Sequence, residues 1–294
     1  CSTVSNRDMR AILDKATFKL LVLVGDVFQI ESILYGNWFS IARDFVPKTS
    51  VIELTKPYRS TNKRLLTIWE RVRKLDDAIL EPMVKGKYTV NLDDSIFEHS
   101  ADDEIILCLN YDGLYGINNI NRFLQTSNPN PPISWGINVY KIGDPILFNE
   151  SERFNPLIYN NMKGVIRDIK VEEKRIWFAV ELDMAITEWE AEGYDFTLIG
   201  ISDTGNSIIG FWTDKYRSTD DDDDSTQAVI PFQVAYAVSI HKAQGLEYKS
   251  VKIVITSEVE ELITHNIFYT AITRAKENLK IYWSPETEKK ILEG

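Results

Sequence analysis

Continuous apolar runs recur along the chain, and polar or amphipathic sequence separates each run from the next. Residues 19–26 (KLLVLVGD) and 104–110 (EIILCLN) are rich in β-branched residues, which is typical of parallel strands buried on both faces. Residues 49–60 (TSVIELTKPYRS) predict a further strand followed by a loop. Three runs near the end, VAYAVS, VKIVIT and LKIYWS, predict three more strands of the same sheet.

Segments with helical spacing lie between these runs, including NRDMRAILDKA, NKRLLTIWERVRKL, INNINRFLQ and NIFYTAITRAKEN. In the last segment Phe268, Ala271, Ile272 and Ala275 fall on one face of a helix, and Arg274 falls on the opposite face. We therefore expect this helix to dock through its apolar stripe and to project Arg274 outward.

The stretch from about residue 141 to residue 229 has a different pattern. GDPILFNE, KGVIRDIKVEEKRIWFAVEL and FTLIGIS alternate apolar and polar residues with a period of two, and turn signals separate them. A small antiparallel β unit inserted into an α/β domain is therefore predicted.

Charge and composition limit the function. The net charge of −11 argues against a protein held to nucleic acid by a general basic surface, so a local groove is needed for any such binding. The acidic run at residues 220–224 predicts a solvated loop rather than a metal site. The sequence has no apolar stretch that could span a membrane. Its two cysteines fit a reducing cytoplasm, with Cys108 as a buried core residue.

A first candidate site lies at the end of the run at residues 19–26. Gly25 and Asp26 close the predicted strand, and Gln29 follows three residues later. Ligands of open parallel sheets bind beyond the carboxyl ends of the strands, where a carboxylate and an amide can sense a phosphate or hold a water. Taken alone, this pattern fits a polar turn about equally well.

Three further motifs follow in a fixed order, and the set changes the interpretation. GDxxQ is followed by YRS at residues 58–60, HKAQGxE at 241–247 and YTAxTRA at 269–275. In order, spacing and strand context this set resembles motifs III to VI of superfamily 1 helicases, and it is most similar to the RecD-like branch. GLYGINNINRFLQTSNPNPP and GDPILFNE also resemble segments of that branch, the second of which opens an SH3-like β insertion there.

The resemblance implies a fold and a domain order. The fold class is α/β, a RecA-like P-loop NTPase helicase core in which a parallel sheet has flanking helices. Residues 1–48 are assigned to the C-terminal remnant of the first RecA-like lobe, and residues 49–140 with 229–294 to the second lobe. Residues 141–228 are assigned to the SH3-like subdomain.

The resemblance also implies a role for each motif residue at the nucleotide. Gln29 contacts the γ-phosphate or the attacking water, and Arg59 and Arg274 reach the γ-phosphate from the second lobe. A fixed guanidinium stabilises the negative charge that moves during hydrolysis. Glu247 holds the ribose or couples its motif to the nucleotide. The residues implied to bind the nucleotide are Asp26, Gln29, Arg59, Gly245, Glu247 and Arg274.

A second set of residues is implied to bind nucleic acid. The resemblance implies that Ser239, His241 and Lys242 contact the phosphate backbone of a single strand. Such contacts position a strand without reading its sequence. The implied partner is single-stranded DNA, or RNA, and accessory repair or recombination proteins are further partners to expect.

Two motifs that the family uses for ATP and Mg²⁺ are absent from this sequence. The family needs Gly-x-x-x-x-Gly-Lys-[Ser/Thr] for the phosphates and an Asp-Glu pair for the metal, and neither occurs here. We therefore expect a C-terminal fragment that begins just after the Asp-Glu pair, with the N-terminal RecA-like segment missing. The fragment alone is expected to have negligible ATP turnover and contains no metal site.

Three functions remain open at this point. The first is an ATP-dependent helicase or translocase that moves 5′ to 3′ on single strands. The second is a non-catalytic RecA-like adaptor or scaffold, against which the retention of Gln29, Arg59, Glu247 and Arg274 speaks. The third is a helicase-like subunit of a nuclease or conjugation complex, which would need partners because no nuclease carboxylate cluster is visible.

Overall fold

The computed structural model describes residues 3–31, 38–76, 78–98, 103–149, 153–215 and 228–293. These residues fall into two compact units. One unit comprises Cys1–Tyr111 and Val238–Gly294, and the other comprises Asp112–Ala237. The acidic run at residues 220–224 lies outside the described residues.

Several helices begin where a side chain can satisfy a free backbone N–H group of the first turn. Ser5 caps the first helix, Asn62 the third and Thr264 the seventh, each by accepting from a backbone N–H of that turn. The α-helices are α1 (Asn6–Lys15), α2 (Trp38–Ala42), α3 (Lys63–Arg73), α4 (Leu80–Lys85), α5 (Ile117–Ser127), α6 (Glu188–Ala191), α7 (His265–Ile272) and α8 (Pro285–Glu293).

The strands coincide largely with the β-branched and aromatic runs of the sequence. They are β1 (Thr89–Asn91), β2 (Glu104–Cys108), β3 (Ile133–Trp135), β4 (Asn138–Tyr140), β5 (Pro145–Phe148), β6 (Lys163–Val171), β7 (Arg175–Leu182), β8 (Thr197–Ile201), β9 (Ser207–Asp214), β10 (Phe232–Val234), β11 (Ala237–Ser239), β12 (Tyr248–Val254) and β13 (Ala275–Trp283).

The first unit is built on a five-stranded sheet with the order β1-β13-β12-β2-β11. The pairs β1–β13, β13–β12 and β12–β2 are parallel, and Ser250–Ile253 lies in register with Glu104–Leu107. All five residues of β2 are buried, as expected for a strand covered on both faces. Cys108 is among them, and burial raises the pKa of its thiol to about 12.

The strands predicted at 104–110 and in VKIVIT and LKIYWS are therefore confirmed, and α3 and α5 confirm two predicted helices.

The first two predicted strands are wrong for this structure. Residues 19–26 form no strand, and Leu20 and Val22 are 79% and 67% exposed. Residues 51–60 are likewise irregular and mostly exposed after a short 3₁₀ turn at Lys48–Ser50. A buried strand needs hydrogen-bonded neighbours and covering helices, and the described part of the chain provides no sheet around either segment.

The second unit contains a six-stranded antiparallel sheet with the order β10-β5-β6-β7-β9-β8. Its core is a cluster of aromatic side chains in edge-to-face contact, including Phe148, Phe178 and Phe232. The small antiparallel unit expected from the period-two sequence is therefore present. It extends beyond 141–228 because α5 and the β3–β4 hairpin cluster with it and β10 pairs with β5. The assignment of residues to two lobes stays a prediction.

Among the described residues, no helix has the length and apolar character that a membrane span requires.

Candidate nucleotide and nucleic-acid site

Arg274 lies in the turn between α7 and β13 and is completely buried. Its Nε donates to the carbonyl of Thr270 (2.9 Å), one terminal nitrogen to the carbonyl of Leu246 (3.0 Å), and the other to the hydroxyl of Thr273 (3.1 Å). The expectation that Arg274 projects outward from a helix is wrong. Helix α7 ends at Ile272, so the helical wheel does not extend to residue 274, and the chain turns inward before the strand begins.

Arg59 approaches the same turn from the other side. Its Nε donates to Glu247 Oε2 (3.1 Å), and a terminal nitrogen donates to the carbonyl of Thr273 (2.8 Å). The next residue, Ser60, donates its hydroxyl to the carbonyl of Lys276. Arg59 and Arg274 therefore meet around Thr273, one at its carbonyl and the other at its hydroxyl, although 215 positions separate them in the sequence.

The electrostatics of this cluster are dominated by positive charge. Burial, together with the nearby charge of Arg59, lowers the pKa of Arg274 to about 10. Burial alone would raise the pKa of Glu247, but hydrogen bonds from Lys276 (2.5 Å) and Arg59, and their charges, lower it below its usual value. The cluster contains three cations, Arg59, Arg274 and Lys276, and one carboxylate, Glu247. The carboxylate of Asp26 also acts on Arg274, which leaves an excess of one positive charge among these five groups. Such an excess favours an anion.

The GDxxQ segment forms a compact turn next to this cluster. Asp26 accepts from the backbone N–H of Phe28 (3.0 Å) and from the side-chain amide of Gln29 (3.3 Å). The backbone N–H of Gln29 also donates to the carbonyl of Asp26 (3.3 Å). Asp26 and Gln29 are therefore brought together, and in this structure the amide of Gln29 is turned back toward its own loop.

The residues expected to contact nucleic acid lie on one turn after β11. The buried hydroxyl of Ser239 accepts from the backbone N–H of Lys242 (3.2 Å), so this side chain stabilises the turn. His241 is exposed and Lys242 is half-buried. Gly245 is exposed with φ of +86°, a conformation that favours glycine, and it lets the chain turn toward Glu247.

Sequence reasoning missed three contributors to the cluster. Lys276 pairs with Glu247, while the hydroxyl of Thr273 and the carbonyl of Leu246 hold Arg274. Lys276 directly follows the YTAxTRA motif, and this position was the only feature of the sequence that could have indicated its role. The main-chain acceptors leave no side-chain pattern in the sequence. No group of three or more His, Cys, Asp or Glu side chains that could hold a metal ion occurs in the described ranges.

Comparison with known families places these motifs in context. Residues 234–282 match the UvrD-like helicase C-terminal domain, a region that contains Ser239, Glu247 and Arg274 together with β11, β12 and most of β13. The chain therefore contains a stretch that is similar to this helicase domain. Its resemblance to superfamily 1 helicases, first drawn from four short motifs, is therefore confirmed.

Two curated relatives agree with this assignment. The chain is 23% identical to the ATP-dependent DNA helicase Pif1 of Campylobacter jejuni, over 89% of this chain and 62% of that protein. It is 24% identical to the RecBCD enzyme subunit RecD of Mycolicibacterium smegmatis, over 62% of this chain and 25% of that protein. The chain thus spans less than two thirds of the length of either relative.

Solved structures support the fold. A crystal structure of the Pif1 helicase from Candida albicans superposes with a TM-score of 0.50 at 12% sequence identity, over 92% of this chain and 66% of that one. The chain thus has the RecA-like helicase fold that the sequence predicts, with a parallel sheet flanked by helices and an added antiparallel sheet.

Proposed function

We propose that this chain is the C-terminal portion of an ATP-dependent superfamily 1 DNA helicase or translocase that moves 5′ to 3′ on single-stranded nucleic acid. Single-stranded DNA is the proposed track, and repair or recombination proteins and a cytoplasmic location belong to the same proposal. The relatives support it, since the Campylobacter jejuni protein is an ATP-dependent DNA helicase.

The convergence of Arg59 and Arg274 is the observation that carries the proposal. Both guanidinium groups bind to Thr273, and Glu247 neutralises only part of the positive charge there. A buried cation without a carboxylate of its own costs free energy, so its retention calls for a function that uses the charge. Stabilisation of a phosphate anion is such a function.

Each residue then has a task toward ATP. Arg59 and Arg274 bind the γ-phosphate, Gln29 senses its presence, and Glu247 holds Arg59 in reach through the 3.1 Å hydrogen bond. ATP supplies the free energy of phosphate-bond hydrolysis when it is bound. The given sequence contains neither the phosphate-binding loop Gly-x-x-x-x-Gly-Lys-[Ser/Thr] nor the Asp-Glu pair that would hold Mg²⁺.

The turn at residues 239–242 is proposed to hold the phosphate backbone of a single strand. His241 is exposed there, and Lys242 lies beside it as a cation. Ser239 contributes by shaping the turn, because its hydroxyl already accepts from the N–H of Lys242. Contacts of this kind hold any sequence, as a translocating protein requires.

Hydrolysis of ATP by the full gene product, with and without a single-stranded oligonucleotide, tests the proposal. Arg274→Ala is expected to reduce turnover about 10³- to 10⁵-fold, the range for loss of an arginine that stabilises the transferred phosphate. Arg59→Ala tests the same site without disturbing a buried side chain, since Arg59 is half-buried. Arg64→Ala, at an exposed arginine of α3, is the matched control and should hydrolyse normally. Near-normal turnover in the Arg59 variant would contradict the assigned role.

A non-catalytic adaptor is the second candidate, and one observation favours it. All three nitrogens of the Arg274 guanidinium are occupied by protein acceptors, so the residue already has a structural role. Under this alternative the gene product binds single strands but does not hydrolyse ATP. The wild-type measurement in the same assay distinguishes the two functions.

A further inference from the structure

A buried residue of the GDxxQ loop is held at both of its backbone groups by distant side chains. The N–H of Ile30, which is 7% exposed, donates to the hydroxyl of Thr270 (2.9 Å). Its carbonyl accepts from the side-chain amide of Gln244 (3.1 Å). A buried peptide group that loses its partner is costly, so both side chains contribute to the position of this loop.

The loop has little regular structure to fix it otherwise. Residues 16–31 form neither helix nor strand, and residue 31 is exposed. Phe28 contributes packing, with its ring edge-to-face to His265 and Tyr269 of α7 at centroid distances of 6.4 and 6.2 Å. The guanidinium of Arg73 lies 4.8 Å from the centroid of the same ring. The loop is therefore attached to α7 and to the turn at Gln244, rather than to a sheet.

The two clamping residues belong to the two parts of the site described above. Gln244 lies in the turn that carries His241 at one end and Glu247 at the other, and its N–H donates to the carbonyl of His241 (3.2 Å). Thr270 lies in α7, and its carbonyl accepts from Arg274. Ile30 thus joins the nucleic-acid turn, the arginine cluster and the loop of Gln29 through its own N–H and carbonyl groups.

We propose that Gln244 and Thr270 are positioning residues that hold the loop at residues 26–30, so that Gln29 follows movements of the turn at residues 239–247. Neither side chain is assigned a contact with nucleotide or nucleic acid. Their task is to transmit the position of the strand-binding turn to the loop that senses the phosphate. The effect on hydrolysis rests on the proposed function, whereas the clamp itself does not.

Hydrogen exchange of the full gene product tests the clamp directly. Thr270→Val removes the acceptor for Ile30 at nearly constant volume, and Thr270→Ser keeps the hydroxyl and is the matched control. The amides of residues 26–31 are expected to exchange about five- to tenfold faster in the Val variant, the effect of about one hydrogen bond, and as in wild type in the Ser variant. Gln244→Met removes the donor to the Ile30 carbonyl and should loosen the same loop. Amides of β12 should be unchanged in all variants, which excludes global unfolding. Equal exchange of the loop in the Val and Ser variants would overturn the clamp.

A second measurement separates positioning from a merely structural role. The ratio of oligonucleotide-stimulated to basal ATP hydrolysis is expected to fall at least about fivefold in Thr270→Val, while the Kd for the oligonucleotide stays at the wild-type value and Thr270→Ser restores the ratio. An unchanged ratio in a variant whose loop exchanges faster would refute the coupling. If the wild-type gene product does not hydrolyse ATP, the proposed function fails, and the exchange comparison still decides whether the clamp exists.

Discussion

Residues 19–26 and strand β12 have similar apolar sequences but different structures. LVLV in the first segment is at least as rich in branched apolar residues as VKIV in the second. In β12 Val251 and Ile253 are fully buried, whereas Val22 is 67% exposed. An apolar run therefore indicates that burial would be favourable. Burial also requires neighbouring segments that pair with the run and cover it.

The neighbours explain the difference. Strand β12 has hydrogen-bonded partners on both sides, β2 and β13, and α7 packs against it. Residues 19–26 belong to no strand ladder in the part of the chain that the structure describes. Backbone groups left without a ladder remain in contact with water, and the side chains stay exposed with them. Sheet formation is thus a property of a set of segments rather than of any one of them.

Ion pairs in the two regions give the largest expected contrast. Lys252 of β12 and Glu104 of β2 form a pair at 3.1 Å with side chains only 6% and 2% exposed. Ser250 also donates to Glu104 (2.9 Å). Glu104→Gln leaves a buried ammonium without its counter-charge, and we expect a loss of about 3–5 kcal/mol in the free energy of unfolding. Denaturant unfolding followed by circular dichroism measures it.

The control for this variant is an ion pair in the second irregular segment, residues 51–60. Glu53 pairs with Arg73 at 2.6 Å, but its side chain is 64% exposed. Glu53→Gln is expected to change the free energy of unfolding by about 0–1 kcal/mol. Similar losses in the two variants would show that the segment at residues 51–60 is as well packed as the sheet, contrary to the structure.

Truncation of a leucine in each region gives the next largest contrast. Leu107 of β2 is fully buried, and Leu107→Ala should cost about 2–5 kcal/mol through lost burial and the cavity left behind. Leu20 is mostly exposed, and Leu20→Ala should cost less than about 0.5 kcal/mol. Thermal unfolding of both variants tests the pair. A large loss for Leu20→Ala would mean that residues 19–26 are buried in the protein in solution.

Sequence patterns predicted most of the fold where the described residues include the partners of each element. Strands β2, β12 and β13, helices α3 and α5, and the antiparallel unit all follow from periodicity in the sequence. The predictions failed at residues 19–26 and 49–60, where local patterns are as clear but the described structure contains no completing sheet. The extent of the antiparallel unit was also missed, because the pairing of β10 with β5 joins segments more than 80 residues apart.

The candidate site shows where motif reasoning stops. Shared motifs identified Arg59, Glu247 and Arg274, and the structure brings these three together. The direction of Arg274 was predicted wrongly because a helical wheel assumes a helix, and α7 ends two residues earlier. The clamp on Ile30 was not predicted, since Ile30 takes part only through its backbone N–H and carbonyl, and such groups leave no pattern in the sequence.

The smallest expected effect concerns Glu247, which accepts a hydrogen bond from Arg59 in the second irregular segment. Because hydrogen bonds and charges from Lys276 and Arg59 outweigh burial, the pKa of Glu247 in the folded protein lies below its ordinary value of 4.5. The stabilisation is therefore complete above pH 4.5 and is lost as the pH falls through the lower, folded-state pKa. The side chain is 42% exposed, so solvent screening limits the effect to about 0–1 kcal/mol. Wild type should exceed Glu247→Gln in free energy of unfolding by this amount at pH 7, and the difference should shrink toward zero once the pH falls below the folded-state pKa. A difference that grows in acid would mean that Arg59 and Lys276 do not hold this carboxylate in the folded protein.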